Sequence, residues 1–167
     1  MTTVANILKF IEILAPRSMK MDWDNVGLLC GSKSAAVTKV LVALDPFESV
    51  CREAIEIGAE LIITHHPLIF QAPKAITDET SVGRCIMQLC RHGISAINAH
   101  TNLDQAPGGV NDVLAAKLGL EYVEIINPKD GIGLMRCGEV AEQTLDTFLS
   151  TVKESLGCDG LRYVDGG

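Results

Sequence analysis

The stretch ELIITHHPLIF, Glu60 to Phe70, decides how this chain is read. Leu61 to Thr64 form an apolar run without alternating polar residues, and the run ends in two adjacent histidines and a proline. A short, continuous apolar run suits a strand buried on both faces, as in a parallel sheet. Pro67 cannot donate to a strand ladder, so the chain leaves the sheet there. Side chains alternate along a regular strand, but the second histidine already lies in the exit, where that rule relaxes.

Two similar runs flank this one: KVLVALD (Lys39–Asp45), stopped by Pro46, and ISAINAH (Ile94–His100). Helical spacing fills the gaps between them. Val50, Ala54 and Ile57 fall on one face before Gly58, and Val82, Cys85, Ile86 and Leu89 on another before RHG. An N-terminal helix carries Val4, Ile7, Leu8, Ile11 and Leu14, with Thr2 or Thr3 as its N-cap. GGVNDVLAAKLGL (Gly108–Leu120) makes a further helix, while MKMDWDNVGLLCGS (Met19–Ser32) reads as a loop. The order predicts an α/β fold: a parallel-sheet βαβαβ core flanked by helices on both faces, with right-handed crossovers.

Beyond Leu120 the pattern loosens. EYVEII (Glu121–Ile126) and GLMRCGEV (Gly133–Val140) read as strands around the turn NPKDG (Asn127–Gly131). Leu145, Phe148, Leu149, Val152 and Leu156 mark a helix, and GLRYV (Gly160–Val164) reads as a last strand before Gly166-Gly167, the expected start of a linker. The expected organisation is an α/β metal-site domain over residues 1–120, then the start of a further, truncated α/β segment over 121–167.

Of the 167 residues, 47% are hydrophobic, 21% charged and 4% aromatic, so one mainly aliphatic core is expected. The net charge of −7 argues against direct nucleic-acid binding as the main function. No run approaches the roughly 20 apolar residues of a membrane span. The N-terminus carries Lys9 and Glu12 within its apolar region, unlike an export signal. A cytoplasmic protein is expected, with Cys30, Cys51, Cys85, Cys90, Cys137 and Cys158 reduced.

Ligands of open parallel sheets bind at the carboxyl ends of the strands. There this sequence puts Asp45, then Thr64, His65 and His66, then His100, Thr101, Asn102 and Asp104. Three of the four histidines thus gather at one edge. Neutral imidazoles with a carboxylate suit Zn, Mn, Fe, Co or Ni. Splayed by Pro67, His65 and His66 can serve two ions about 3.5–4 Å apart, a site for activating water. The same residues also suit strand caps that donate to backbone carbonyls. His92 reads as a solvent-facing helix cap. Gly108 to Asp112 reads as a plain helix start or a phosphate cradle.

WDNVGLLCG (Trp23–Gly31), ITHHPLIF (Ile63–Phe70) and AHTNLDQAPGGVNDVLAAKLGL (Ala99–Leu120) closely resemble the Nif-three-like family, also called GTP cyclohydrolase 1 type 2 homologues. The resemblance spans essentially the whole chain. It implies two divalent metal ions, with His65 and His66 as ligands to different ions and Asp104 as a ligand to one. It places His100 and Asn102 near the site, and in an enzyme His100 is the expected proton shuttle. It further implies a metal-dependent hydrolase acting on a nucleotide or similar small substrate, GTP in the named activity, and a homo-oligomer in the form of a ring-shaped hexamer. The alternative is a non-enzymatic metal-binding or protein-interaction role, after the transcription-factor partner in the family's name. The family also takes a His and a Glu from its C-terminal part. No histidine follows His100 here, so part of the dinuclear site is expected to lie outside this chain.

Overall fold

The computed structural model describes residues 1–126, 128 and 131–165. The turn expected at Asn127–Gly131 lies largely outside these residues, as does the expected linker at Gly166 and Gly167. The chain divides into two compact units, Met1–Ala106 and Pro107–Gly167.

The first unit is built on four strands: β1 (Gly27–Cys30), β2 (Val40–Ala43), β3 (Leu61–Thr64) and β4 (Ser95–Asn98). They lie in the order β1-β4-β3-β2. β2, β3 and β4 are parallel, joined through α2 (Glu48–Ile57) and α3 (Ser81–Arg91), so the βαβαβ core expected from the sequence is present. The sheet is mixed rather than purely parallel. β1 pairs antiparallel with β4, Gly27 opposite Asn98, within the segment the sequence places in a loop.

Alternation along the strands divides the core in two. Leu61, Ile97, Val4 and Val37 form a buried cluster with Leu28 and Ile63, beneath Ile7, Leu8 and Ile11 of α1 (Val4–Leu14). On the opposite face Ile62, Ala96 and Cys30 pack with Cys51 and Ala54 of α2 and Cys85, Ile86 and Leu89 of α3. Residues one apart on β3 thus belong to different cores, which is why its run is continuously apolar. Burying Leu61 completely contributes about 1.5–3 kcal/mol.

Local chemistry sets the element ends. Thr3 caps α1, its hydroxyl accepting from the Asn6 N–H while the Asn6 side chain accepts from the Thr3 N–H. Gly58 closes α2 in the left-handed region at φ 66°, where a Cβ is disfavoured. Glu60 accepts from the backbone N–H groups of Thr38 and Lys39 at 3.1 and 2.8 Å, aligning the starts of β2 and β3.

The second unit holds α5 (Val110–Lys117), an antiparallel pair of β5 (Glu121–Ile126) and β6 (Met135–Glu139), and α6 (Leu145–Leu156). α5 packs on β6. The sequence reading instead groups this helix with the first segment and breaks the chain after Leu120. Gly160 to Val164, expected as a strand, form no regular element, and they find no strand partner among the described residues. No described helix is long and apolar enough to cross a membrane.

Candidate metal centre

β3 ends at Thr64, and the next two residues are His65 and His66. The β2–β3 ladder runs one step past the strand, because the His66 N–H donates to the Leu44 carbonyl at 3.0 Å. The Thr64 hydroxyl donates to the His66 carbonyl at 2.7 Å and turns the backbone toward Pro67. β4 ends at Asn98, and after Ala99 the chain reaches His100, the N-cap residue of the short helix α4 (Thr101–Gln105). This helix is absent from the sequence reading, where His100 and Asp104 are strand-end residues. It places them four residues apart, on one face of a single turn.

The result is a histidine cluster. One ligand atom from each of His65, His66 and His100 lies within 4.8 Å of the others, a grouping able to hold a metal ion. The ring centroids are 5.0 Å apart for His65–His66, 5.1 Å for His65–His100 and 5.7 Å for His66–His100. Asp104 Oδ1 lies 3.5 Å from His65 Nε2. All four residues keep some exposure, so the cluster is open to solvent on one side. The donor set, three imidazoles beside a carboxylate, fits a divalent transition metal.

Each imidazole is held through Nδ1. His65 Nδ1 meets the Ala99 carbonyl at 3.0 Å, His66 Nδ1 meets Asp45 Oδ1 at 2.6 Å, and His100 Nδ1 meets Asp24 Oδ1 at 2.9 Å. Asp24 is the buried end of this arrangement, with its side chain completely shielded. Burial pushes its carboxyl pKa up. Hydrogen bonds from the His100 ring, the Thr101 hydroxyl and backbone N–H, and the Asn25 N–H outweigh that effect, and the net direction is down. Lys20 adds a bond from its ammonium to the Asp24 carbonyl at 2.8 Å.

Asp24 is not among the site residues that the sequence indicates, because only the β1–β4 pairing brings it to His100. Asn102 has a structural role next to the cluster: it is buried, its side chain accepts from the His100 N–H and donates to the Ala15 carbonyl, and so it ties α4 to the end of α1. Trp23 stands beside the cluster, 56% exposed, edge-on to Phe70 and His100 at 6.0 and 6.5 Å.

Two other sequence features take structural roles. His92 is the exposed C-cap residue of α3. At the start of α5 the Asp112 carboxylate accepts from the Gly108 N–H at 2.7 Å and from Arg136, so this helix start is occupied by the chain's own acid.

A mixed α/β sheet with histidines and carboxylates converging beyond the carboxyl ends of its parallel strands defines an α/β protein with a candidate metal centre. The profile of the Duf34/NIF3 (NGG1p interacting factor 3) family matches residues 2–167, and the chain belongs to that family. It is 43% identical over 162 residues to a GTP cyclohydrolase 1 type 2 homolog of Clostridium perfringens, a match covering 95% of this chain and 62% of that one. A crystal structure of Staphylococcus aureus hypothetical protein SA1388 superposes with a TM-score of 0.86 at 32% identity, over 96% of this chain and 66% of that one. Reduced HcgD from Methanocaldococcus jannaschii gives 0.80 at 31% identity, over 92% and 60%. The chain therefore spans less than two thirds of the length of these relatives.

Proposed function

We propose that this protein binds divalent metal through His65, His66 and Asp104, and that the metal serves hydrolysis of a nucleotide or similar small substrate. The observation that carries the reading is the convergence of His65, His66 and His100 to within 4.8 Å beside Asp104. When bound, the metal supplies Lewis acidity and a water of lowered pKa. The chain's own residues do the rest. His65 and His66 present imidazole nitrogens from successive positions, and Asp104 adds a carboxylate. His100, with Nδ1 held 2.9 Å from the buried Asp24 carboxylate, moves a proton at its other ring nitrogen. The open side of the cluster, beside Trp23, admits the substrate.

GTP as the substrate rests on the name carried by the relatives, and the ring-shaped hexamer on the family resemblance. Two ions per complete site are proposed. A second reading keeps the metal and drops turnover: an interaction protein, as the family's description as an interacting factor favours.

The test is paired. Metal content after exhaustive dialysis is compared for the wild type, His65→Ala and His100→Ala, alongside formate release from GTP. Metal retained by the wild type and lost in His65→Ala supports the metal reading. Formate release abolished by His100→Ala with metal retained supports the proton role. Retained metal with no formate from GTP and no turnover of other nucleotides favours the interaction reading.

A further inference from the structure

We infer that Asp45 and Asp24 are positioning residues for the metal centre, holding His66 and His100 as Nδ1–H tautomers, so that His66 presents Nε2 to an ion and His100 keeps Nε2 free to take up a proton. The inference rests on the proposed metal reading and goes beyond it, because neither carboxylate belongs to the ligand set. Asp45 Oδ1 is 2.6 Å from His66 Nδ1 and Asp24 Oδ1 is 2.9 Å from His100 Nδ1. An ionised carboxylate only accepts hydrogen bonds, so the facing ring nitrogen must carry the proton. In a neutral imidazole the lone pair is then left on Nε2. The Ala99 carbonyl at 3.0 Å does the same for His65, whose Nε2 is indeed the atom turned to Asp104. All three rings of the cluster are thus held from outside at the same nitrogen.

The fold delivers both carboxylates deliberately to these places. Asp45 arrives because the Leu44 carbonyl accepts from the His66 N–H, which sets the end of β2 beside the end of β3. Asp24 arrives because β1 runs antiparallel along β4, with Gly27 opposite Asn98, so the turn before β1 lies next to the residues following β4. The Asp24 N–H closes that turn on the Met21 carbonyl at 2.9 Å. Asp24 is further fixed by Thr101, whose N–H and hydroxyl both donate to Oδ2. The fourth strand therefore has a functional consequence: it carries the orienting group for the third histidine. Carboxylates that hold a ligating imidazole in this way fix its tautomer and raise its basicity, and their loss costs roughly 10–100-fold in metal affinity.

The experiment measures zinc(II) affinity by competition with a chelating dye, and the tautomers of the metal-free chain by 15N-detected NMR of the histidine rings. Asp45→Ala should weaken zinc binding about 10–100-fold, and Asp45→Asn, which keeps an oxygen acceptor, should fall between it and the wild type. Thermal unfolding should barely move in either, since Asp45 is partly exposed. Asp24→Asn should alter the His100 ring signals in the same sense. In the wild type His66 and His100 should carry the proton on Nδ1. Zinc affinity unchanged in Asp45→Ala, or a His66 proton on Nε2 in the wild type, overturns the inference. A wild type that binds no zinc at all sinks the metal reading instead, and the ring signals still decide the positioning.

Discussion

Gly31 follows β1 at φ +99°, and a Cβ built there would lie 2.6 Å from the Cα of Ser95, with the Ser95 hydroxyl closer still. Ser95 is the fully buried first residue of β4, and its hydroxyl accepts from the Ser32 N–H at 3.2 Å. In Gly31→Ala the left-handed backbone costs about 1–2 kcal/mol. The overlap falls on backbone, which cannot swing aside as a flexible side chain would, and adds about 1–3 kcal/mol. The expected loss is therefore about 2–5 kcal/mol. Gly58→Ala is the matched control: its φ is +66°, yet nothing lies within 4 Å of the added Cβ, so only the backbone cost of about 1–2 kcal/mol applies. Urea unfolding with the slope checked for constancy reads both. Equal losses in the two variants would refute the close β1–β4 approach, and with it the strand that brings Asp24 to His100.

Three further outcomes follow from the packing and charge. Leu61→Ala, in the centre of the α1-side core with no exposed surface, should lose about 3–5 kcal/mol by calorimetry or urea, whereas the 73%-exposed Val42→Ala should lose under about 1 kcal/mol. The hydrogen bond from Arg136 holds the Asp112 carboxyl below its ordinary pKa, and the Gly108 N–H acts in the same direction. A depressed folded-state pKa contributes stability above the unfolded value of about 3.9, lost as pH falls through the folded one. Asp112→Asn should therefore destabilise the second unit at pH 7 by roughly 1 kcal/mol, discounted for partial exposure, and the gap should close below about pH 4; a pH-independent gap would contradict the ion pair. Alkylation of the native protein followed by mass spectrometry should modify exposed Cys90 and Cys137 first and spare Cys51, whose thiol burial pushes up to about 12.

The parallel core is legible in the sequence because its signals are local. Each of its three strands is an apolar run with a clear stop, and each intervening helix shows its own spacing. β1 is not legible in this way. GLLC is four residues long, follows a polar turn, and becomes a strand only through pairing with residues far along the chain, which no local window contains. The short helix α4 is hidden for a different reason: TNLDQ has no apolar period, and its backbone is set by the Asn102 side chain and the buried Asp24 rather than by propensity. GLRYV errs in the other direction, because β-branched and aromatic residues favour a strand only where a partner strand is at hand.

The candidate site divides along the same line. His65, His66, His100 and Asp104 can be read from strand ends and spacing. Asp45 can be read as a neighbour but not as the partner of His66, and the role of Asp24 depends entirely on the antiparallel strand. A carboxylate's effect on a distant histidine is a tertiary fact, and the tripeptide Trp23-Asp24-Asn25 carries no spacing that points to His100.

The most direct test of the central claim is the zinc(II) content of the purified chain, after loading and dialysis, beside His65→Ala and His66→Ala. The account predicts at least one ion retained per wild-type chain and loss of that ion in both variants. A wild type that retains none, or variants that retain as much as the wild type, would contradict it.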